Sequence, residues 1–199
     1  MKPSWSIISI ISRFVAVAIG LVQSIIIIKY LTVGEWGLVK IVTSVVAMAG
    51  VFQNLGISSG ATREIAATKD NSEASKVFFG ALSVRYLISI PIALYFIFGA
   101  NYLGEFYGHS DIIKPFRIFG IIVLLQTLQS TLKSFIQGKE RFRFLFSSQI
   151  FEALLSLFLH IYFLSKFGFI GVFYALLGFT LISVLVLALS VAYFVTSDF

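Results

Sequence analysis

The chain has 199 residues, of which 58% are hydrophobic and only 12% charged, and its mean hydropathy is +0.98. A soluble domain usually carries about 25% charge, so this composition excludes one and indicates an integral membrane protein. The absence of cysteine removes disulfide frameworks, zinc clusters and thiol catalysis together, and the net charge of +6 points to membrane orientation and anionic lipid rather than to nucleic acid.

Lys2 before an apolar stretch and the small residues Ala16-Val17-Ala18 superficially resemble a secretory leader. Arg13 interrupts that stretch, which then continues apolar to Ile28, so the expectation is a retained first spanning helix. Charge-free runs with short extensions predict helices near 6–31, 39–61, 77–100, 112–137, 143–165 and 169–195, each close to the roughly 20 residues that a bilayer requires. Runs such as Ile25 to Ile28 do not alternate, which argues against barrel strands. The expected fold class is therefore an all-α integral membrane bundle of six transmembrane helices in a single domain.

Gly34 and Gly37, Lys69-Asp70-Asn71, Gly104 and Gly108, and Gly138 mark the connections. Pro115 suits the opening turn of the fourth helix, with Ser110 or Asp111 as cap, and Pro91 falls inside the third, where a kink is expected. Six spans place both termini on one side with the loops near 63–76 and 138–143. That side holds seven loop cations (Lys2, Arg63, Lys69, Lys76, Lys139, Arg141 and Arg143) against five on the other (Lys29, Lys40, Lys114, Arg117 and Lys166). The positive-inside rule then sets both termini in the cytoplasm.

Arg13, Arg85, Lys133 and Glu152 fall inside the predicted spans, where a central charge costs about 2.5–3.5 kcal/mol. Helical spacing groups them with other polar residues. Gln126, Gln129, Ser130, Lys133 and Gln137 share about 100° of arc on the fourth helix, and Gln149, Glu152, Ser156 and His160 about 80° on the fifth. The first helix carries Ser9, Ser12, Arg13, Ala16, Gly20 and Gln23 on one face, the second Thr43, Ala47, Gly50 and Asn54, and the third Arg85 and Ser89. One reading is hydrogen-bond glue in a closed bundle, with a cation neutralised by Glu152. The other is a shared internal cavity that accepts an anion, favoured because three embedded cations outnumber one carboxylate. Its candidate substrate-binding residues are Arg13, Arg85, Lys133, Gln126, Gln129 and Glu152, with the cationic cluster in the cytoplasmic half. His109 and Asp111 read as a solvated turn rather than a metal site. His160 reads as a satisfied interior histidine, and Gly56 and Gly60 as a chance small-residue pair. No phosphate loop, dinucleotide fingerprint or nucleophile elbow occurs.

Lys29 to Val39 with its Gly34-Glu35-Trp36-Gly37 core, then Asn54-Leu55-Gly56-Ile57 and Ala61-Thr62-Arg63-Glu64-Ile65-Ala66, resemble the opening of a Wzx-type oligosaccharide flippase. That family belongs to the multidrug/oligosaccharidyl-lipid/polysaccharide exporter superfamily. Thr32-Val33 stands where the family pattern has Gly-Pro, while Gln137 to Phe142 and Gly168-Phe169-Ile170-Gly171 resemble its later connections. The resemblance implies one six-helix lobe of a two-lobe exporter in the cytoplasmic membrane. By alternating access, such an exporter flips an undecaprenyl-diphosphate-linked oligosaccharide for surface polysaccharide synthesis. It further implies no cofactor, no enzymatic chemistry, and a second lobe or self-association, with residues 1–199 acting as an N-terminal lobe. Rival readings are a drug or cation antiporter of the same superfamily, a sugar polymerase, and a non-transporting assembly scaffold.

Overall fold

The computed structural model describes residues 4–53, 56–68 and 70–197, so Lys2, Asn54 and Lys69 lie outside the described residues, as does the side chain of Ser9. Among the described residues the α-helices are α1 (Ser4–Tyr30), α2 (Val33–Gln53), α3 (Ile57–Ala67), α4 (Asn71–Phe98), α5 (Ala100–Phe106), α6 (Ile113–Gly138), α7 (Phe142–Phe167) and α8 (Phe169–Ser197), with a single 3-10 turn at Ser110–Ile112. Among the described residues, five segments are long and apolar enough to cross a membrane: Ser12–Tyr30, Val33–Gln53, Asn71–Phe98, Phe142–Phe167 and Phe169–Phe194. The chain is thus a multi-pass helical membrane protein. The helix α6, equally long, is not among the five. Lys114, Arg117 and Lys133, with Gln126, Gln129 and Gln137, dilute its apolar character.

Several boundaries depart from the sequence expectation. The second helix starts at Val33 rather than 39 because Thr32 and Glu35 form a reciprocal capping box. The Glu35 carboxylate accepts from the Thr32 N–H and hydroxyl, both at 2.8 Å, and Thr32 Oγ1 accepts from the Glu35 N–H at 3.3 Å. Gly34 and Gly37 therefore lie inside a helix rather than in a turn. The same helix ends at Gln53 instead of 61, since Gly56 adopts φ +81°, a left-handed conformation that α-helix cannot propagate. Beyond Gly56 the chain forms the separate 11-residue helix α3, which buries Ala61 and Ile65 and exposes Arg63 and Glu64.

The third span begins six residues early, at Asn71, where the Asp70 carboxylate caps it by accepting from the Ser72 N–H at 3.0 Å. It runs through Pro91 without ending. The expected loop near 101–111 is mostly helical, and Ser110 and Asp111 belong to the 3-10 turn rather than serving as the side-chain cap of α6.

At the centre is α6, packed against α4, α8 and α3. At Gly120 its backbone comes so near α4 that a Cβ would fall 2.8 Å from the Ala93 carbonyl oxygen. On the far side, α7 is held between α8 and α1. Although consecutive in sequence, α1 and α2 pack on different partners: α1 on α7, and α2 across α4, α6 and α8. Toward the end formed by Gly168 and residues 99–112, the bundle is filled by Val42, Phe96, Phe116, Phe119 and Phe173. Phe96 and Phe116 stack there with centroids 5.8 Å apart. The opposite end is closed by α3, where Ile65, Ala74 and Phe135 pack together.

Candidate functional site

The expected single cavity is two recesses. The central one, about 460 Å³, opens between α2, α4, α6 and α8, with Thr43, Ala47 and Gly50 on one wall and Arg85, Gln126 and Gln129 on the others. The second, about 290 Å³, lies between α1, α7 and α8, and includes Gln23, Gln149, Glu152 and Ser156. Three of the six candidate residues, Arg85, Gln126 and Gln129, thus share the central wall, and Glu152 belongs to the other recess.

Arg85 is the fifteenth of the 28 residues of α4, so at 1.5 Å per residue it sits about 21 Å from the start of that helix. That places it mid-helix, deeper than a helix starting near 77 would put it. Its side chain is buried at 2% exposure, and Nη1 donates to Thr131 Oγ1 of α6 at 3.0 Å. One turn away, Gln53 Nε2 of α2 donates to Ser89 Oγ of α4 at 3.2 Å, and Ser89 shares a 2.7 Å hydroxyl contact with Thr127 of α6. Three helices are therefore tied by uncharged polar groups next to a buried cation. This suits the membrane interior, where every polar group needs a protein partner or a wet cavity.

Lys133 has a different environment. Its Nζ lies 2.6 Å from Glu152 Oε2, with side-chain exposures of 28% and 10%. Glu152 Oε1 accepts from Ser183 Oγ of α8 at 2.5 Å, and Ser183 Oγ in turn accepts from Gln129 Nε2 at 2.6 Å. The hydrogen-bonded neutral pair costs far less to embed than either ion alone, as the glue reading expected of a cation neutralised by Glu152. Arg13 stands apart from both recesses, exposed on α1 one residue into the span Ser12–Tyr30. The cationic cluster expected in one half of the bundle is therefore dispersed. One cation lines the central cavity, one is paired with a carboxylate, and one is on the outer surface.

On the α7 stripe, Gln149, Glu152 and Ser156 all reach the lateral recess, and His160, 2% exposed, lies behind it with Nδ1 3.1 Å from Gln23 Nε2. The sequence reading did not single out Gln53, Thr127, Thr131 and Ser183. Thr127 and Thr131 share a face four residues apart, a usable signal, and Thr180 and Ser183 share one three residues apart in the most apolar helix. Among the described residues no group of three or more His, Asp or Glu side chains could hold a metal ion.

The sequence profile described as "Polysaccharide biosynthesis protein" matches residues 5–199. No curated protein matches the chain significantly. Among solved structures, the fold is similar to the outward-facing conformation of a multidrug resistance MATE family transporter of the MOP superfamily, with a TM-score of 0.74 at 16% identity. The alignment covers 89% of this chain and 42% of that one, so the chain spans less than half the length of that transporter. With the fold of one part of that transporter and a profile match over nearly its whole length, this chain belongs to the polysaccharide biosynthesis protein family.

Proposed function

We propose that this chain is one lobe of an exporter that flips a diphosphate-linked oligosaccharide lipid across the cytoplasmic membrane, with the central cavity receiving the anionic headgroup. The observation that carries this reading is the position of Arg85: mid-helix, buried, and in the wall of a polar recess otherwise lined by amides and small or apolar residues. A guanidinium forms forked, charge-assisted hydrogen bonds with phosphate oxygens, and an ion so deep is functional by default. Family membership in polysaccharide biosynthesis favours a sugar-bearing cargo over a cationic drug. In this reading α6 is the sixth span, with Thr127, Gln129 and Thr131 buried against its neighbours and Lys133 neutralised by Glu152. A second lobe covers the open side of the cavity, and the two lobes alternate access. Both termini lie in the cytoplasm, with α3 on the cytoplasmic face.

Export in cells tests the assignment. In the intact protein, Arg85→Gln should reduce transfer of lipid-linked oligosaccharide by at least about a hundredfold, the scale of losing a buried charge-assisted contact, at normal abundance in the membrane, while Arg85→Lys retains part of it. Undiminished export by Arg85→Gln would refute the anion cavity.

A further inference from the structure

The recess between α1, α7 and α8 has a chemistry opposite to that of the central cavity. Where the central wall carries a guanidinium, this one carries the Glu152 carboxylate, held by Lys133 at 2.6 Å on one oxygen and by Ser183 on the other. An ionised carboxylate is an acceptor only, so its remaining lone pairs suit hydroxyl or amide donors and disfavour a phosphate. The neighbouring groups are also prearranged: Ser156 Oγ donates to Gln23 Oε1 at 3.1 Å, and the Gln23 amide is fixed against His160. The Gln149 amide also lines the recess and offers a ligand both a donor and an acceptor. Gly20 and Ala153 keep the recess open, and Phe179 of α8 supplies an apolar ring at its edge.

We infer that this recess binds a neutral sugar unit, with Glu152 and Gln149 taking its hydroxyls and Phe179 covering a C–H face of the ring. The inference rests on the proposed function and divides the cargo by charge: the diphosphate goes to Arg85 and a sugar to the α1–α7–α8 recess. The chain Gln129–Ser183–Glu152 joins the two, since Gln129 lines the central cavity and Glu152 the lateral one. A volume of about 290 Å³ accommodates a single ring, so one sugar residue is read there. Lipid glycerol offers similar hydroxyls, and the experiment separates the two sources.

The test is saturation-transfer NMR on the intact protein in lipid nanodiscs against a panel of methyl glycosides of common hexoses, deoxyhexoses and N-acetylhexosamines. Glycerol serves as competitor, and inorganic pyrophosphate is titrated calorimetrically as a separate arm. At least one glycoside should bind and resist an equal concentration of glycerol. Gln149→Leu and Ala153→Phe should each weaken that binding about tenfold, the loss expected for a ligand hydrogen bond or a blocked site, with pyrophosphate affinity unchanged as evidence of folding. Arg85→Gln should do the reverse. Binding by no glycoside, binding indifferent to both recess variants, or equal displacement by glycerol would each overturn the sugar site. If glycosides behave as expected but pyrophosphate does not bind, the recess assignment stands and the Arg85 reading falls.

Discussion

Two polar stations flank α6, and they solve the problem of charge in a membrane in opposite ways. On the α4 side a buried arginine is set among hydroxyls, with Thr131 as its hydrogen-bond acceptor and the Gln53–Ser89–Thr127 ladder beside it. On the α7 and α8 side a lysine is paired directly with a carboxylate, and a serine completes the pair. The first cation lines a cavity, and the second closes a contact between helices. Two cations of the same formal charge therefore have different surroundings, and the partner across the helix interface, rather than the charge itself, sets the difference. Lysine concentrates its charge in a compact ammonium that a single carboxylate can satisfy, whereas the planar guanidinium presents several donors toward a ligand.

The sharpest way to break the comparison is to neutralise each cation in turn. Arg85→Gln should abolish export, whereas Lys133→Ala should reduce it by less than about tenfold, a loss of under ~1.4 kcal/mol, because Gln126, Gln129 and Arg85 remain in the central wall. Equal losses in the two variants, measured in the same cells, would erase the distinction. Stability should show the opposite order. Glu152→Ala strands the Lys133 ammonium and should cost about 2 kcal/mol, less than a fully buried broken pair because Lys133 is partly exposed. The double variant Lys133→Leu with Glu152→Leu should recover most of this in thermal unfolding of the purified protein. A double variant less stable than Glu152→Ala alone would show that the pair contributes net stability rather than mutual compensation. A smaller effect is expected at Thr32→Ala, which removes half of the capping box at the start of α2 and should cost about 1 kcal/mol with export unchanged. Orientation is tested independently by single cysteines at Ser72 and Ser110, both exposed and at opposite ends of the bundle. An impermeant maleimide on intact cells should label position 110 and spare position 72, and the reverse pattern would invert the assigned topology.

Much of the architecture was legible because lipid imposes long charge-free helices, and the starts of the last two helices fell within one residue of expectation. Errors concentrated where local chemistry overrides hydropathy. The Thr32-x-x-Glu35 box could have been read as a helix start, but two glycines in the same stretch favoured a turn. The break after Gln53 depends on the conformation of Gly56 in a charge-free run, and hydropathy does not encode that. The polar stripes on α6 and α7 were correctly placed on single faces, yet periodicity along a helix does not say which stripe meets which. The pairing of Lys133 with Glu152 follows from the short antiparallel turn at Lys139–Arg141, and the outward position of Arg13 from α1 packing on α7. Ser183 was passed over for a simpler reason, since a serine in an apolar helix commonly bonds its own backbone and only the tertiary structure shows it bridging Gln129 to Glu152.

The central claim is that Arg85 makes the cavity between α2, α4, α6 and α8 a diphosphate site, and the most direct test is a calorimetric titration of inorganic pyrophosphate into the intact protein and its Arg85 variants. The account predicts measurable binding by the wild type, weaker binding by Arg85→Lys, none by Arg85→Gln, and little change in Lys133→Ala. Equal pyrophosphate affinity in the wild type and Arg85→Gln would contradict it.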